Sequence, residues 1–326
     1  MRRVTLLMIA LARNKSLMIA LSLAMLGGMI FLYDPREVVS RLHNVKWVVA
    51  IPAIAGLAAI HLLQVEVWRV MSVALNGIDL SRRLAATAYF GGQLFGGMTP
   101  GNLGGDFYRT VTVKTTAISW RAALGPILGQ RMVSYGSIFL LAVAAGYLGL
   151  ASHEGLLMIA AVGGALCLAV FWVGKHRLAR LLIRATERFA PSQFDAVSGA
   201  MSALQKVLGL GIAFHLGSVG LMYALLVSIG ETPPFLSAIG MLLVARAISL
   251  LPVTPYGLGL QEGSLVLLLP GLGIGPESAL AVSLLGRLGM ILVVTIGLGC
   301  FLAQRHSSGL GFRMVRAGTS ALSPRR

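Results

Sequence analysis

Hydrophobic residues in this chain fall into long unbroken blocks, not into the alternation of half-buried strands or the stripes of soluble helices. Apolar spans run at about 16–33, 47–68, 121–150, 156–174, 206–230 and 277–303. Each is long enough for an α-helix to cross hydrocarbon, which takes about 20 residues. Helix is the expected state because lipid offers no water, so each segment must satisfy its own backbone N–H and C=O groups. Two further apolar regions, about 84–118 and 236–275, are interrupted at their middles by Pro and Gly. The first span follows Arg2, Arg3, Arg13 and Lys15. It is long for a signal peptide and no small-x-small site closes it, so it reads as an uncleaved helix.

The two interruptions are near copies. The first reads Thr99-Pro100-Gly101-Asn102-Leu103-Gly104-Gly105-Asp106. The second, 155 residues later, reads Thr254-Pro255-Tyr256-Gly257-Leu258-Gly259-Leu260-Gln261-Glu262. A second echo follows each: Ala123-Leu124-x3-Leu128-x2-Arg131 and Ala279-Leu280-x3-Leu284-x2-Arg287. Duplicated halves with broken helices and intramembrane charge are how transporters build a site near the bilayer midplane.

Composition agrees with a membrane chain. Hydrophobic residues make up 56% and charged residues 12%, with a mean hydropathy of +0.83. A soluble domain carries roughly twice that charged share, about 25%. The net charge of +16 would suit nucleic acid, but the basic residues sit between the spans and not on one folded face. They fit cytoplasmic loops and attraction to anionic lipid instead.

The 175–188 loop, with Lys175, Arg177, Arg180, Arg184 and Arg188, and the basic tail 304–326 are expected inside. The 151–155 and 230–234 loops carry a Glu each and no Lys or Arg, so they face outward. Arg36, Arg41 and Lys46 run against this scheme, because the 34–46 loop must also be outside. The segment 175–205 reads as an amphipathic helix on the inner surface or as a basic connector.

Arg82 and Arg83 precede the first interrupted region, and Arg109, Lys114 and Arg121 follow its core. It is expected to enter from the cytoplasm and return there, as a re-entrant hairpin with 100–106 near its tip. The second, flanked by Glu231 and Glu277, is expected to enter from outside. The expected fold is therefore an all-α polytopic membrane protein, one integral membrane domain over 1–326. Its halves, about 16–150 and 156–303, form an inverted repeat, each with a broken helical hairpin. The rival is eight plain crossings with 259–275 as a span. Both place the two termini in the cytoplasm, in a bacterial inner membrane.

Asp106 follows Gly104-Gly105 where freed backbone groups and close chain approach favour a ligand. Arg109, three residues on, shares its helical face. The two are either an ion pair locking the hairpin or a unit in which Asp106 orients Arg109 onto a phosphate. Arg131 and Arg287 lie about ten residues inside their spans, too deep for easy snorkelling. With Arg246 they are expected to form a basic pocket, since a guanidinium fork grips two phosphate oxygens and keeps its charge on burial. The alternative pairs each with its own repeat's carboxylate, Arg131 with Asp106 and Arg287 with Glu262.

Glu262 either carries a proton or satisfies the dipole of the helix it begins. His61 and His215 read as satisfied interior groups. Trp47, Trp68, Trp120 and Trp172 read as interfacial anchors. Cys167 and Cys300 lie in apolar spans without zinc spacing. No nucleophile elbow, P-loop, Rossmann pattern or metal-ligand cluster occurs, and no cofactor is expected.

The run Gly91-Gly92-Gln93-Leu94-Phe95 into Thr99–Asp106-x2-Arg109 resembles the lysylphosphatidylglycerol synthase transmembrane family, often called flippase-like. Leu251-Pro252 to Gly257-Leu258-Gly259-x2-Glu262-Gly263 resembles that family's later signature. The resemblance covers roughly 16–303 and implies a bundle that moves a lipid between leaflets. Some members add a cytosolic aminoacyltransferase domain, for which this chain has no room after its last span, so lysyl-lipid synthesis is not expected. The sequence departs from the pattern at Gln130, where the resemblance implies Asp, and at Gln261, where it implies Arg.

The expected function is a flippase-like translocase, not an enzyme, for a lipid with a polar or anionic head. Candidate partners are phospholipid, polyprenyl phosphate or a hopanoid-like lipid, with an enzyme partner for lipid modification also possible. The alternative is a membrane-embedded enzyme or enzyme subunit acting on a lipid-linked or terpenoid substrate. A scaffold with a vestigial site is a third.

Overall fold

A computed structural model describes residues 27–28, 32–97, 99–114, 118–149, 194–250 and 254–306. The 156–174 span, the 175–188 loop, Cys167, Trp172, the tail beyond 306 and nearly all of the 16–33 span lie outside those residues. Within them the secondary structure is helical throughout, joined by turns. The protein is an all-α polytopic membrane protein.

Short α1 (Pro35–His43) leads to α2 (Trp47–Ala59) and α3 (His61–Asn76). Next come α4 (Arg82–Gly96), α5 (Leu103–Val113) and α6 (Trp120–Tyr147). The second half holds α7 (Phe194–Ser228), α8 (Phe235–Ser249), α9 (Leu260–Leu268) and α10 (Pro276–His306). Among the described residues, four stretches are long and apolar enough to cross a membrane: Trp47–Asn76, Trp120–Tyr147, Ser202–Ser228 and Pro276–Gln304. They correspond to the spans expected at 47–68, 121–150, 206–230 and 277–303. Residues 194–205 continue directly into α7, so this part is no separate surface helix. Nothing stops the helix there, because no proline falls between Pro191 and Pro233.

The interrupted regions fold as helical hairpins. At a rise of about 1.5 Å per residue, none of α4, α5, α8 and α9 reaches the roughly 30 Å of a hydrocarbon core. In the first hairpin Gly91 lies against Tyr108, Gly92 against Gly105 and Arg109, and Gly104 against Phe95, the antiparallel order. Contact there is backbone to backbone. A Cβ on Gly105 would sit 2.5 Å from the Gly92 carbonyl oxygen, so the helices meet at this distance only without side chains. The second hairpin closes with Ser264 Oγ donating to the Ala245 carbonyl at 3.4 Å.

Polar contacts sort the connections to two ends of the bundle. At one end Arg41 bridges Glu37 (3.1 Å) and Glu231 (3.2 Å), and Ser278 Oγ donates to Glu231 at 2.7 Å. The 34–46 segment, the 230–234 loop and the start of α10 therefore lie together. The segment expected to be a loop is mostly helix, because Asp34 caps it by accepting from the Arg36 N–H and Pro35 opens it. At the other end Asn76 reaches the Ala122 carbonyl, Arg69 meets Glu66 and Asp79, and Tyr108 meets Gln304. The base of the first hairpin is at this end, and the base of the second is at the end holding Glu231.

The expectation for Trp68 fails. Trp68 is 1% exposed, in the cluster with Tyr89, Ala123 and Ile127, whereas Trp47 and Trp120 stay about half exposed. It is interior because α3 packs that face against α4 and α6, and its ring lies under Arg109.

Candidate functional site

The two hairpin tips share a backbone shape. After its proline, each chain takes two successive left-handed residues: Gly101 and Asn102 (φ 58° and 61°), then Tyr256 and Gly257 (φ 50° and 63°). This conformation turns the chain out of one helix and into the next, and leaves carbonyls without helical partners.

An arginine from the following span fills that gap in each half. Arg131 Nε lies 2.5 Å from Asp106 Oδ2, and its Nη2 donates to the Gly101 carbonyl at 2.5 Å. Arg287 Nε and Nη2 grip both Glu262 oxygens at 2.6 and 2.9 Å. It also donates to the Tyr256 and Gly257 carbonyls at 2.9 and 3.0 Å. Each arginine thus ties its own carboxylate to its own tip, as in the alternative pairing left open above.

Arg109 is enclosed. Its guanidinium stands 4.2 Å from the Trp68 ring centroid and 5.1 Å from that of Tyr89, and 3.7 Å from Asp106. It donates to Gln130 Oε1 at 2.5 Å, and Gln130 in turn donates to the Gln64 carbonyl and side-chain oxygens at 2.8 Å. A neutral amide at 130 therefore does, by hydrogen bonds, what an acid would do by charge. Glu262 is fully buried, accepts from the Gly259 N–H at 2.7 Å and caps α9. That supports the helix-terminus reading and places Glu262 behind Arg287, away from the cavity wall.

A cavity of about 260 Å³ lies between the tips. Asp106, Arg109, Arg131, Arg246, Gln261 and Arg287 all line it, with Gly101, Asn102 and Gly257 from the turns. Gly104, Gly105 and Gly259 are not on its wall and serve the turns and the helix packing. Arg246 differs from the other arginines: among the described residues it has no ion pair or side-chain hydrogen bond, only the Phe214 ring at 5.8 Å. The tips also touch, since Tyr256 packs against Gly96 and Gly97 and its hydroxyl donates to the Gln93 carbonyl.

Sequence reasoning missed Gln64, Gln93, Tyr89, Tyr135 and Tyr256 on this wall. The signal was there, as amides and phenols inside apolar helices need partners. His61 also lines the cavity, meeting the Tyr89 hydroxyl at 2.9 Å, and His215 meets Ser134 at 3.0 Å. Among the described residues no group of His, Cys, Asp or Glu could hold a metal.

Against known proteins, the profile described as the lysylphosphatidylglycerol synthase TM region matches residues 17–297. The chain belongs to this family. A UPF0104 membrane protein of Methanothermobacter thermautotrophicus (strain Delta H) is 33% identical over 96 residues, 28% of this chain and 27% of that relative. The match thus spans about a quarter of the relative's length. No solved structure matches. Membership in this family and the crossing helices make the chain a multi-pass membrane protein of a lipid-related family.

Proposed function

We propose that this protein translocates a lipid with a polar or anionic head between the leaflets of a bacterial inner membrane, with both termini cytoplasmic. The observation that carries the reading is that motifs from both halves converge on one cavity whose wall includes four arginines. At about 260 Å³ the space is small for a whole drug-sized ligand, for which pockets run about 300–1,000 Å³. It suits a head group whose chains stay in lipid. The hairpins would be re-entrant and the halves an inverted repeat. Their bases at opposite ends of the bundle, and the basic residues Arg82, Arg83, Lys114 and Arg121 near the base of the first, support this orientation. Arg41, one of the three residues at odds with it, is paired with Glu37 and Glu231. Arg246 would hold the head group, Arg131 and Arg287 would face it while holding the tips, Asp106 and Arg109 would shape the wall, and Glu262 would hold Arg287 from behind it. Movement would be alternation of the halves about the Tyr256 contact.

A leaflet-protection assay tests this. Purified protein in liposomes receives a panel of labelled lipids, and a membrane-impermeant quencher reports which labels cross. Protein-dependent crossing of one class, lost in Arg246→Gln, is the expected result. No crossing for any lipid, alongside modification of a lipid-linked or terpenoid substrate, would replace the reading with an enzymatic one.

A further inference from the structure

The charges around the cavity do not cancel, and the imbalance has a definite size. Arg109, Arg131, Arg246 and Arg287 face the two carboxylates Asp106 and Glu262, which leaves, among the described residues, a formal surplus of two positive charges. The spans at 16–33 and 156–174 contain no Asp, Glu, Lys or Arg, so they cannot change that count wherever they pack. Glu66 is spoken for by Arg69 and Lys206. A net charge held in a low-dielectric interior is costly unless a counter-charge joins it.

Hydrogen-bonding capacity points the same way. Buried side-chain atoms without a partner among the described residues include Gln64 Nε2, Arg109 Nε, Arg246 Nε and Thr254 Oγ1. All four belong to residues that line the cavity. Three are obligate donors and the hydroxyl can donate, so the wall offers hydrogens to an oxygen-rich anion. Against them stands one orphaned acceptor on the wall, Asn102 Oδ1.

From this count we infer that the cavity selects a lipid whose head is a terminal phosphate monoester, with Arg246 as the residue that receives it. A monoester carries about 1.5 to 2 negative charges near neutral pH and matches the surplus. A phosphodiester head carries a single charge and leaves half of the surplus uncompensated. Arg246 is the receiver because Arg131 and Arg287 already spend their forks on carboxylates and tip carbonyls. The inference rests on the translocase reading of the same cavity and adds the head-group chemistry to it. Phosphatidate and a polyprenyl monophosphate share that chemistry, as does free phosphate.

The test is binding to the purified full chain in detergent, by calorimetry, with four probes. These are short-chain phosphatidate, a short polyprenyl monophosphate, short-chain phosphatidylglycerol as the diester, and inorganic phosphate. A monoester lipid should bind at least roughly ten-fold tighter than the diester, and which of the two does so names the source. Tighter binding of inorganic phosphate than of both monoester lipids, or equal affinity for monoester and diester lipids, would overturn the inference.

Arg246→Gln and Gln261→Glu each lower the surplus by one charge, the second without deleting a contact, and each should abolish the monoester preference. Preference retained in both would also overturn it. Should Arg246→Gln fail to fold, Gln261→Glu and the wild-type ratio decide. The same lipids then go through the leaflet-protection assay. Crossing of a diester lipid alone would spare the translocase reading and refute the head-group assignment. Monoester binding without any crossing would do the reverse.

Discussion

The two hairpin tips are built alike but held unequally. Arg287 makes four hydrogen bonds, two to Glu262 and two to tip carbonyls, and Glu262 is fully buried. Arg131 makes one close contact to Asp106 and one to the Gly101 carbonyl, with Tyr135 at 3.5 Å. Its side chain is 22% exposed against 14% for Arg287, and Asp106 divides its charge between Arg131 and Arg109. The comparison teaches that the same turn can be locked or merely latched, depending on how fully one guanidinium is satisfied. The second tip is the more fully tied of the two.

The sharpest way to break that contrast is the matched pair of amide substitutions. Glu262→Gln leaves Arg287 in the interior without a counter-charge, which for a buried pair costs about 3–5 kcal/mol. It should give the largest loss of thermal stability in detergent. Asp106→Asn should cost less, about 1.5–3 kcal/mol, because Arg131 is the more exposed arginine and Arg109 keeps Gln130 and the Trp68 ring. Equal losses in the two variants would mean that the tips are held alike.

Gly105→Ala tests the hairpin itself. The new Cβ meets the Gly92 carbonyl and Asn102 Oδ1, both at 2.5 Å, and overpacking of this kind costs about 1–3 kcal/mol. Glycine at that place is needed for approach, not for its dihedral angles, so Gly105→Ser should be at least as harmful. The smallest stability effect belongs to Tyr256→Phe, which removes one hydroxyl hydrogen bond to Gln93, worth about 1 kcal/mol. Its effect on transport should exceed its effect on stability, since it loosens the contact between the tips. A Tyr256→Phe protein that transports at the wild-type rate would remove the tip contact from the mechanism.

Much of this was legible in the chain before folding. Thr99-Pro100 and Thr254-Pro255 announced two broken helices, and the spacing of Arg131 and Arg287 announced that the same residue type would act in both halves. The carboxylate partners were legible only as one of two options. The option that won satisfies two deficits at once, the buried acid and the tip carbonyls, whereas an arginine kept for a ligand satisfies neither. Trp68 was misread because a tryptophan near a span end looks the same in sequence whether it faces lipid head groups or a buried arginine. Gln130 looked like a missing charge, and in the structure it links Arg109 to Gln64.

By itself the sequence determined the membrane class, the spans at 47–68, 121–150, 206–230 and 277–303, and the two places where helices break. These follow from local properties: the apolar length that hydrocarbon demands, and Pro and Gly that a helix cannot carry through. Only the tertiary structure decided which arginines are committed and that Arg246 has no counter-charge among the described residues. It also decided that both tips meet at one cavity. Charge pairing in a membrane interior is set by neighbours far apart in the chain, such as Arg287 and Glu262 or Arg131 and Gly101. No local pattern of residues encodes that proximity.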